Sequence, residues 1–176
     1  MPQTSAQSTS PLSVGQRQEL AQKLLKQLED RHYTLGTAES LTGGALCSAF
    51  AEIPGASHVL IGSIVAYQPE IKSRLLGVDE YLLADHGPYN HQTVQQMARG
   101  ICRVLGTKIG LATSGVAGPS DDQGTPAGTC FIALAAPEGY LQSREINAEG
   151  DRNSVRQASV DAALELLAQY LGANGH

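Results

Sequence analysis

The chain has 176 residues and a mass of 18.5 kDa, enough for one domain with a sizeable core. Its 12 Lys and Arg against 17 Asp and Glu leave a formal charge of −5, and no basic run exceeds two residues, which disfavours nonspecific binding to nucleic acid or an anionic membrane. Hydrophobic residues make up 41% but aromatics only 5%, with no Trp and 19 Gly, so base-stacking platforms are excluded and small aliphatics must build the core.

Residues 1–12, rich in Ser, Thr and Gln, read as a disordered tail with neither a basic leader nor an apolar stretch. Ser13 and Gln16 form a capping-box pattern, and Leu20, Leu24 and Leu28 then repeat at helical spacing to about Asp30. An extended piece over 33–38 runs into a glycine turn and a small, apolar helix over 43–53, stopped by Pro54 and Gly55. The β-branched run from His58 to Tyr67 predicts a central strand. Pro69 opens a short helix that Gly77 closes, and Asn90 caps a longer one whose stripe is Val94, Met97, Ile101 and Val104. Lys108 to Thr113 is a strand. Cys130–Ala135 and Leu141–Ile146 form a hairpin around Pro137, Glu138 and Gly139. Asp151 caps a last helix to Leu171, with Val155, Ala158, Ala162 and Leu166 inward, and 173–176 are a flexible end. The expectation is α/β: a three-layer α/β/α sandwich with a mixed sheet, one domain over 13–172.

Cys47, Cys102 and Cys130 are odd in number and widely spaced within apolar runs, which reads as buried thiols in a reducing compartment. His32, His58, His86, His91 and His176 are scattered, so no structural metal is expected. No apolar run approaches the roughly 20 residues that span a bilayer, and the expected location is cytoplasmic.

Four places could carry chemistry. Thr-Ala-Glu-Ser-Leu-Thr-Gly-Gly at 37–44 puts hydroxyls and two glycines between a strand and a helix. Such a turn either holds a phosphate or oxyanion on its N–H groups, or merely caps the helix through Ser40 or Thr42. Tyr67 and Lys72 follow the most apolar strand: a desolvated lysine there serves as a base, a solvated one does nothing. Thr-Ser-Gly-Val-Ala-Gly-Pro at 113–119 is a strand end dissolving into a glycine-rich loop, where α/β proteins bind ligands, or else a plain connection. Arg152 in Gly-Asp-Arg sits at a helix start, where arginine opposes the dipole unless an anion or a surface ion pair compensates.

The order of these segments, together with Ile-Pro-Gly-Ala-Ser at 53–57, Val-Ala-Tyr at 65–67 with Lys72 five residues on, Leu-Gly-Val at 76–78, Gly-Thr at 128–129 and Val155-Arg156 after Gly-Asp-Arg, resembles the CinA C-terminal domain family over roughly 14–171. That family includes stand-alone nicotinamide mononucleotide deamidases and competence/damage-inducible proteins. The resemblance implies hydrolysis of nicotinamide mononucleotide to nicotinate mononucleotide and ammonia, in pyridine nucleotide salvage, with no cofactor. It implies Ser40 as nucleophile and Lys72 as general base. Glu39, Thr42, Gly43, Gly44, Tyr67, Ser114, Gly115 and Arg152 become substrate-binding positions, Arg152 near the phosphate, with N–H groups of the glycine turn holding the oxyanion.

The partner implied is a small mononucleotide, with no direct nucleic acid and no membrane, in a homodimer or larger homo-oligomer. Relatives carry Tyr-Ser-Asn before the lysine where this chain has Tyr67-Gln68-Pro69, and Gly-Ala-Val-Ser-Glu-Glu where it has Gly-Pro-Tyr-Asn-His-Gln at 87–92. These departures motivate a rival reading: a paralogue that keeps the fold but has lost turnover, binding a nucleotide or acting in a regulatory or competence-related role.

Overall fold

A computed structural model describes residues 11–173, so residues 1–10 of the tail expected over 1–12 and residues 174–176 of the end expected over 173–176 lie outside the described residues. Six α-helices and five strands follow in chain order: α1 Val14–Asp30, β1 Leu35–Glu39, α2 Ala45–Ala51, β2 Leu60–Val65, α3 Pro69–Leu76, α4 Glu80–His86, α5 His91–Leu105, β3 Ile109–Gly115, β4 Thr129–Ala135, β5 Leu141–Asn147 and α6 Arg152–Ala173. The sheet order is β2-β1-β3-β4-β5, with β1 parallel to both β2 and β3 and the β3–β4 and β4–β5 pairs antiparallel. It is the mixed sheet expected.

Each sheet face carries its own core. On one, Leu35, Ile109, Leu111, Ile132 and Leu134 meet α1, α2 and α6; on the other, Ala38, Ala112, Ala133 and Ala135 meet α3, α4 and α5. The smaller residues of the second face let α5 come close. A Cβ at Gly110 would stand 2.2 Å from the Ala98 carbonyl oxygen, and one at Gly100 would stand 2.1 Å from that of Leu76. Strand alternation then sorts the functional residues. Leu35, Thr37 and Glu39 share the α2 and α6 face. Ser40, whose N–H still donates to the Thr113 carbonyl at 3.0 Å, extends the ladder by one residue and turns to the α3 and α5 face.

The capping box at Ser13 and Gln16 forms as expected, and Asp151 accepts from the N–H of Ser154 to start α6. Leu12, placed in the tail by the sequence, donates its N–H to Asp161 Oδ2 at 3.0 Å beside the Arg17–Asp161 ion pair. Several expectations are corrected. β2 is an edge strand, not a central one: Leu60 and Ile64 pack inward while Ile61 and Val65 stay about half exposed, so apolar content alone did not report burial of both faces. Val104 is exposed, because the α5 stripe continues from Ile101 to Leu105 at a four-residue step. Ala158 is only half-buried, its neighbours Val155, Ser159 and Ala162 facing inward instead. Helix α4, begun by Asp79 accepting from the Tyr81 N–H, was not anticipated. Of the cysteines only Cys130 is fully buried. No described helix is long and apolar enough to cross a membrane, and no described cluster of three or more His, Cys, Asp or Glu could hold a metal ion.

Candidate active site

The carboxyl end of β1 and the start of α3 converge on one buried contact. Lys72 Nζ lies 3.0 Å from Ser40 Oγ, 2.8 Å from the Ala66 carbonyl oxygen and 3.1 Å from that of Tyr67. Lys72 is 1% exposed and Ser40 is 4% exposed. Burial without a counter-ion pulls the lysine from its ordinary 10.5 to about 8. Carbonyl oxygens can only accept, so in the neutral amine both N–H bonds go to Ala66 and Tyr67 and the lone pair is left for the Ser40 hydroxyl. The backbone thus holds Lys72 as an acceptor aimed at a serine. Pro69, the departure in this region, occupies the first turn of α3, where its missing N–H costs nothing, and the lysine's orientation does not pass through it.

Glu39 takes a different part from the one expected. It is wholly buried, and its carboxylate accepts from the N–H groups of Gly44, Leu46 and Cys47 at 2.8 to 3.0 Å and from the hydroxyls of Thr42 at 2.6 Å and Thr37 at 3.2 Å. With both oxygens engaged inside the protein, Glu39 organises the turn and fills the start of α2. That corrects a second expectation. The Gly44 N–H is bound to Glu39 and the Gly43 N–H closes a turn on the Ser40 carbonyl at 3.1 Å, so neither glycine N–H is left for an oxyanion. The glycines supply backbone conformation instead, with φ of +57° at Gly43 and +100° at Gly44.

Thr42 is also buried, exchanging a hydroxyl contact of 2.8 Å with Thr113. Ser114 Oγ donates to the Pro88 carbonyl at 2.7 Å and so anchors the 87–90 segment. Gly115 is needed by the sheet, since a Cβ there would lie 2.6 Å from the Thr129 carbonyl oxygen. Tyr67 and Arg152 do come together at the rim: Arg152 donates to the Tyr67 hydroxyl and to the Gly118 carbonyl, each at 2.7 Å. Arg152 also lines a cavity of about 380 Å³ between the glycine loop and α6, with Gly118, Pro119, Gly128 and Val155. In the departing 87–92 segment, the Tyr89 hydroxyl donates to Asp122 Oδ2 at 2.5 Å, tying that segment to the same loop, and burial with the Asp122 carboxylate holds the phenol well above its ordinary 10.

One further side chain reaches the Ser40 turn, and the sequence pattern assigned it no role. Arg156, one turn into α6, donates from Nε to the Leu41 carbonyl at 3.0 Å and from a terminal nitrogen to the Thr42 carbonyl at 2.8 Å. The signal was its place in Gly-Asp-Arg-x-x-Val-Arg, but nothing local says that an arginine there reaches back to β1.

Comparison with known proteins sets this geometry in context. The family model of the CinA C-terminal domain matches residues 17–171. A CinA-like protein of Frankia casuarinae is 44% identical over 144 residues, covering 82% of this chain and 33% of the relative. One from Thermotoga maritima is 41% identical over 157 residues, covering 88% and 38%. The chain therefore spans little more than a third of the length of these curated relatives. Among solved structures, a competence-damaged protein (CinA) superfamily protein from Klebsiella pneumoniae superposes with a TM-score of 0.86 at 32% identity, covering 89% of this chain and 98% of that one.

Proposed function

This chain belongs to the CinA C-terminal domain family, and from that premise we propose that it is an amidohydrolase that converts nicotinamide mononucleotide to nicotinate mononucleotide and ammonia through Ser40 and Lys72. The observation that carries the reading is the 3.0 Å contact between Lys72 Nζ and Ser40 Oγ, with the other two lysine partners being carbonyls.

Neutral Lys72 takes the Ser40 proton as Oγ attacks the carboxamide carbon, and the carbonyl π pair becomes the oxyanion of a tetrahedral intermediate. Collapse breaks the C–N bond. The lysine returns its proton to the leaving nitrogen, and ammonia departs from a nicotinoyl ester on Ser40. Water then gives a proton to Lys72 and attacks the ester. The second collapse breaks the ester C–O bond, the serine regains its proton from the lysine, and the carboxylic acid released gives its proton to solvent to become nicotinate. A base near pH 8 suits this cycle, being able both to accept and to return a proton at neutral pH.

Arg152, with the Tyr67 hydroxyl beside it, is the cation that meets the single phosphate of the substrate at the cavity under α6. The test is ammonia release from nicotinamide mononucleotide by the purified protein, with Ser40→Ala as control; equal release by the two would end the proposal. The alternative of a nucleotide-binding protein without turnover drew on Pro69, and that residue sits where the Lys72 contact does not depend on it.

A further inference from the structure

We infer that Arg156 is a positioning residue for this reaction: its guanidinium, clamped on the Leu41 and Thr42 carbonyls, fixes the peptide that carries the Thr42 N–H and so aims that group, beside the open Leu41 N–H, as the oxyanion donor that the glycine N–H groups cannot be. The inference rests on the proposed Ser40 chemistry and deepens it.

Most backbone donors around the nucleophile are already taken. Between Ser40 and Cys47, the N–H of Ser40 goes to Thr113, that of Gly43 to Ser40, that of Ala45 to Thr42, and those of Gly44, Leu46 and Cys47 to Glu39. Those of Leu41 and Thr42 have no partner among the described residues, although the two residues are 3% and 0% exposed. Buried backbone donors are nearly always satisfied, so two consecutive ones left open beside a serine nucleophile are a place made for an acceptor.

Direction follows from the peptide unit. A trans peptide is planar and its C=O and N–H point opposite ways. The Leu41 carbonyl shares its peptide with the Thr42 N–H, and Arg156 holds that carbonyl toward α6 at 3.0 Å, so the Thr42 N–H faces away from α6. The Ser40 carbonyl shares its peptide with the Leu41 N–H, and it is turned inward to accept from Gly43, so the Leu41 N–H faces out of the turn. Lys72 approaches Ser40 from α3, in the layer opposite α6. The open Thr42 donor and the base therefore share one side of the turn and Arg156 the other, with the Leu41 donor facing outward beside them. A charged donor on a carbonyl also polarises that peptide, which strengthens its N–H. The grip is two-pronged, on consecutive carbonyls, which a lysine cannot reproduce.

The experiment compares wild type, Arg156→Ala and Arg156→Lys in ammonia release from nicotinamide mononucleotide. Misaimed oxyanion donors should lower kcat about 10- to 100-fold with KM within about twofold, since the hole acts on the transition state and the substrate site is untouched. Arg156→Lys should regain only a small part, and millimolar guanidinium should partly restore Arg156→Ala. A kcat within about twofold of wild type in Arg156→Ala, or a loss confined to KM, overturns the inference. If Arg156→Ala does not fold, Arg156→Lys decides by the same split. If wild type releases no ammonia, the substrate assignment fails separately, and the rate at which a fluorophosphonate labels Ser40, read by intact mass, decides. That probe needs the same donors and no carboxamide. About tenfold slower labelling of the variants supports the inference; equal rates, or no labelling of wild-type Ser40, overturn it.

Discussion

Glu39 and Lys72 are both buried ionisable groups within hydrogen-bonding reach of the turn that carries Ser40, and the protein treats them in opposite ways. Glu39 collects three backbone N–H groups and two close hydroxyls at the start of α2, so its charge is matched donor by donor. Lys72 receives two carbonyls and one serine, neutral groups all, and burial drives it toward the uncharged state. A buried charge whose partners are complete is a building element. One whose partners suit its neutral form equally well is a reagent.

The most direct way to break the contrast is Lys72→Met. Ammonia release should fall about ten-thousandfold, because among the described residues nothing else contacts Ser40 Oγ as an acceptor, while the thermal midpoint holds or rises as a desolvated amine gives way to an apolar chain of similar length. A variant that kept a tenth of the activity would remove Lys72 from the mechanism. Glu39→Gln should do the reverse. The amide offers one oxygen where the carboxylate offered two, and its NH2 group faces N–H donors it cannot satisfy, so urea unfolding should show a loss of about 4 kcal/mol. It should also lower the Cys47 thiol, which burial and then the Glu39 charge hold up, a change that faster alkylation at fixed pH would report.

The sequence made Lys72 and Ser40 legible because family motifs name them, and the strand-then-glycine pattern made the turn legible because only glycine takes those φ values cheaply. It could not separate Glu39 from a ligand-facing residue. Adjacent positions on a strand look to opposite faces, and which face held α2 was a matter of packing. Nor could it show that the Gly43 and Gly44 donors were already taken, since their acceptors are a carbonyl one turn back and a side chain pointing inward. Arg156 is the extreme case, acting on residues more than a hundred positions earlier in the chain. The edge position of β2 was hidden for a related reason: pairing order is a property of the sheet, whereas composition is a property of the strand.

The contrast also has a pH signature. Lys72 titrates near 10.5 in the unfolded chain and near 8 in the fold, so between those values the unfolded state holds the additional proton and stability rises with pH. The gain across that window is about 3 kcal/mol at about 1.4 kcal/mol per pH unit. Urea midpoints of the wild type minus those of Lys72→Met, measured from pH 7 to 10.5, isolate it from other titrating groups; a flat difference would mean the lysine is not desolvated. Turnover should climb with pH to a plateau above about 8 for the same reason, since only the neutral amine is a base.

The smallest test asks whether Glu39's partners are of equal worth. Ser63 Oγ on β2 stands 3.4 Å from Glu39 Oε1, the longest contact in the set, and it already accepts from Thr37 Oγ1 at 2.8 Å. If the carboxylate is held by the α2 N–H groups and Thr42, then Ser63→Ala removes a marginal donor and frees Thr37 to turn its hydroxyl fully onto Glu39, whose 3.2 Å contact should shorten. The expected loss is about 0.5 kcal/mol in urea unfolding, with kcat unchanged. A loss near that of Glu39→Gln would place the weight of the buried carboxylate on the sheet edge instead of on the helix start, and the turn carrying Ser40 would then owe its shape to β2 rather than to α2.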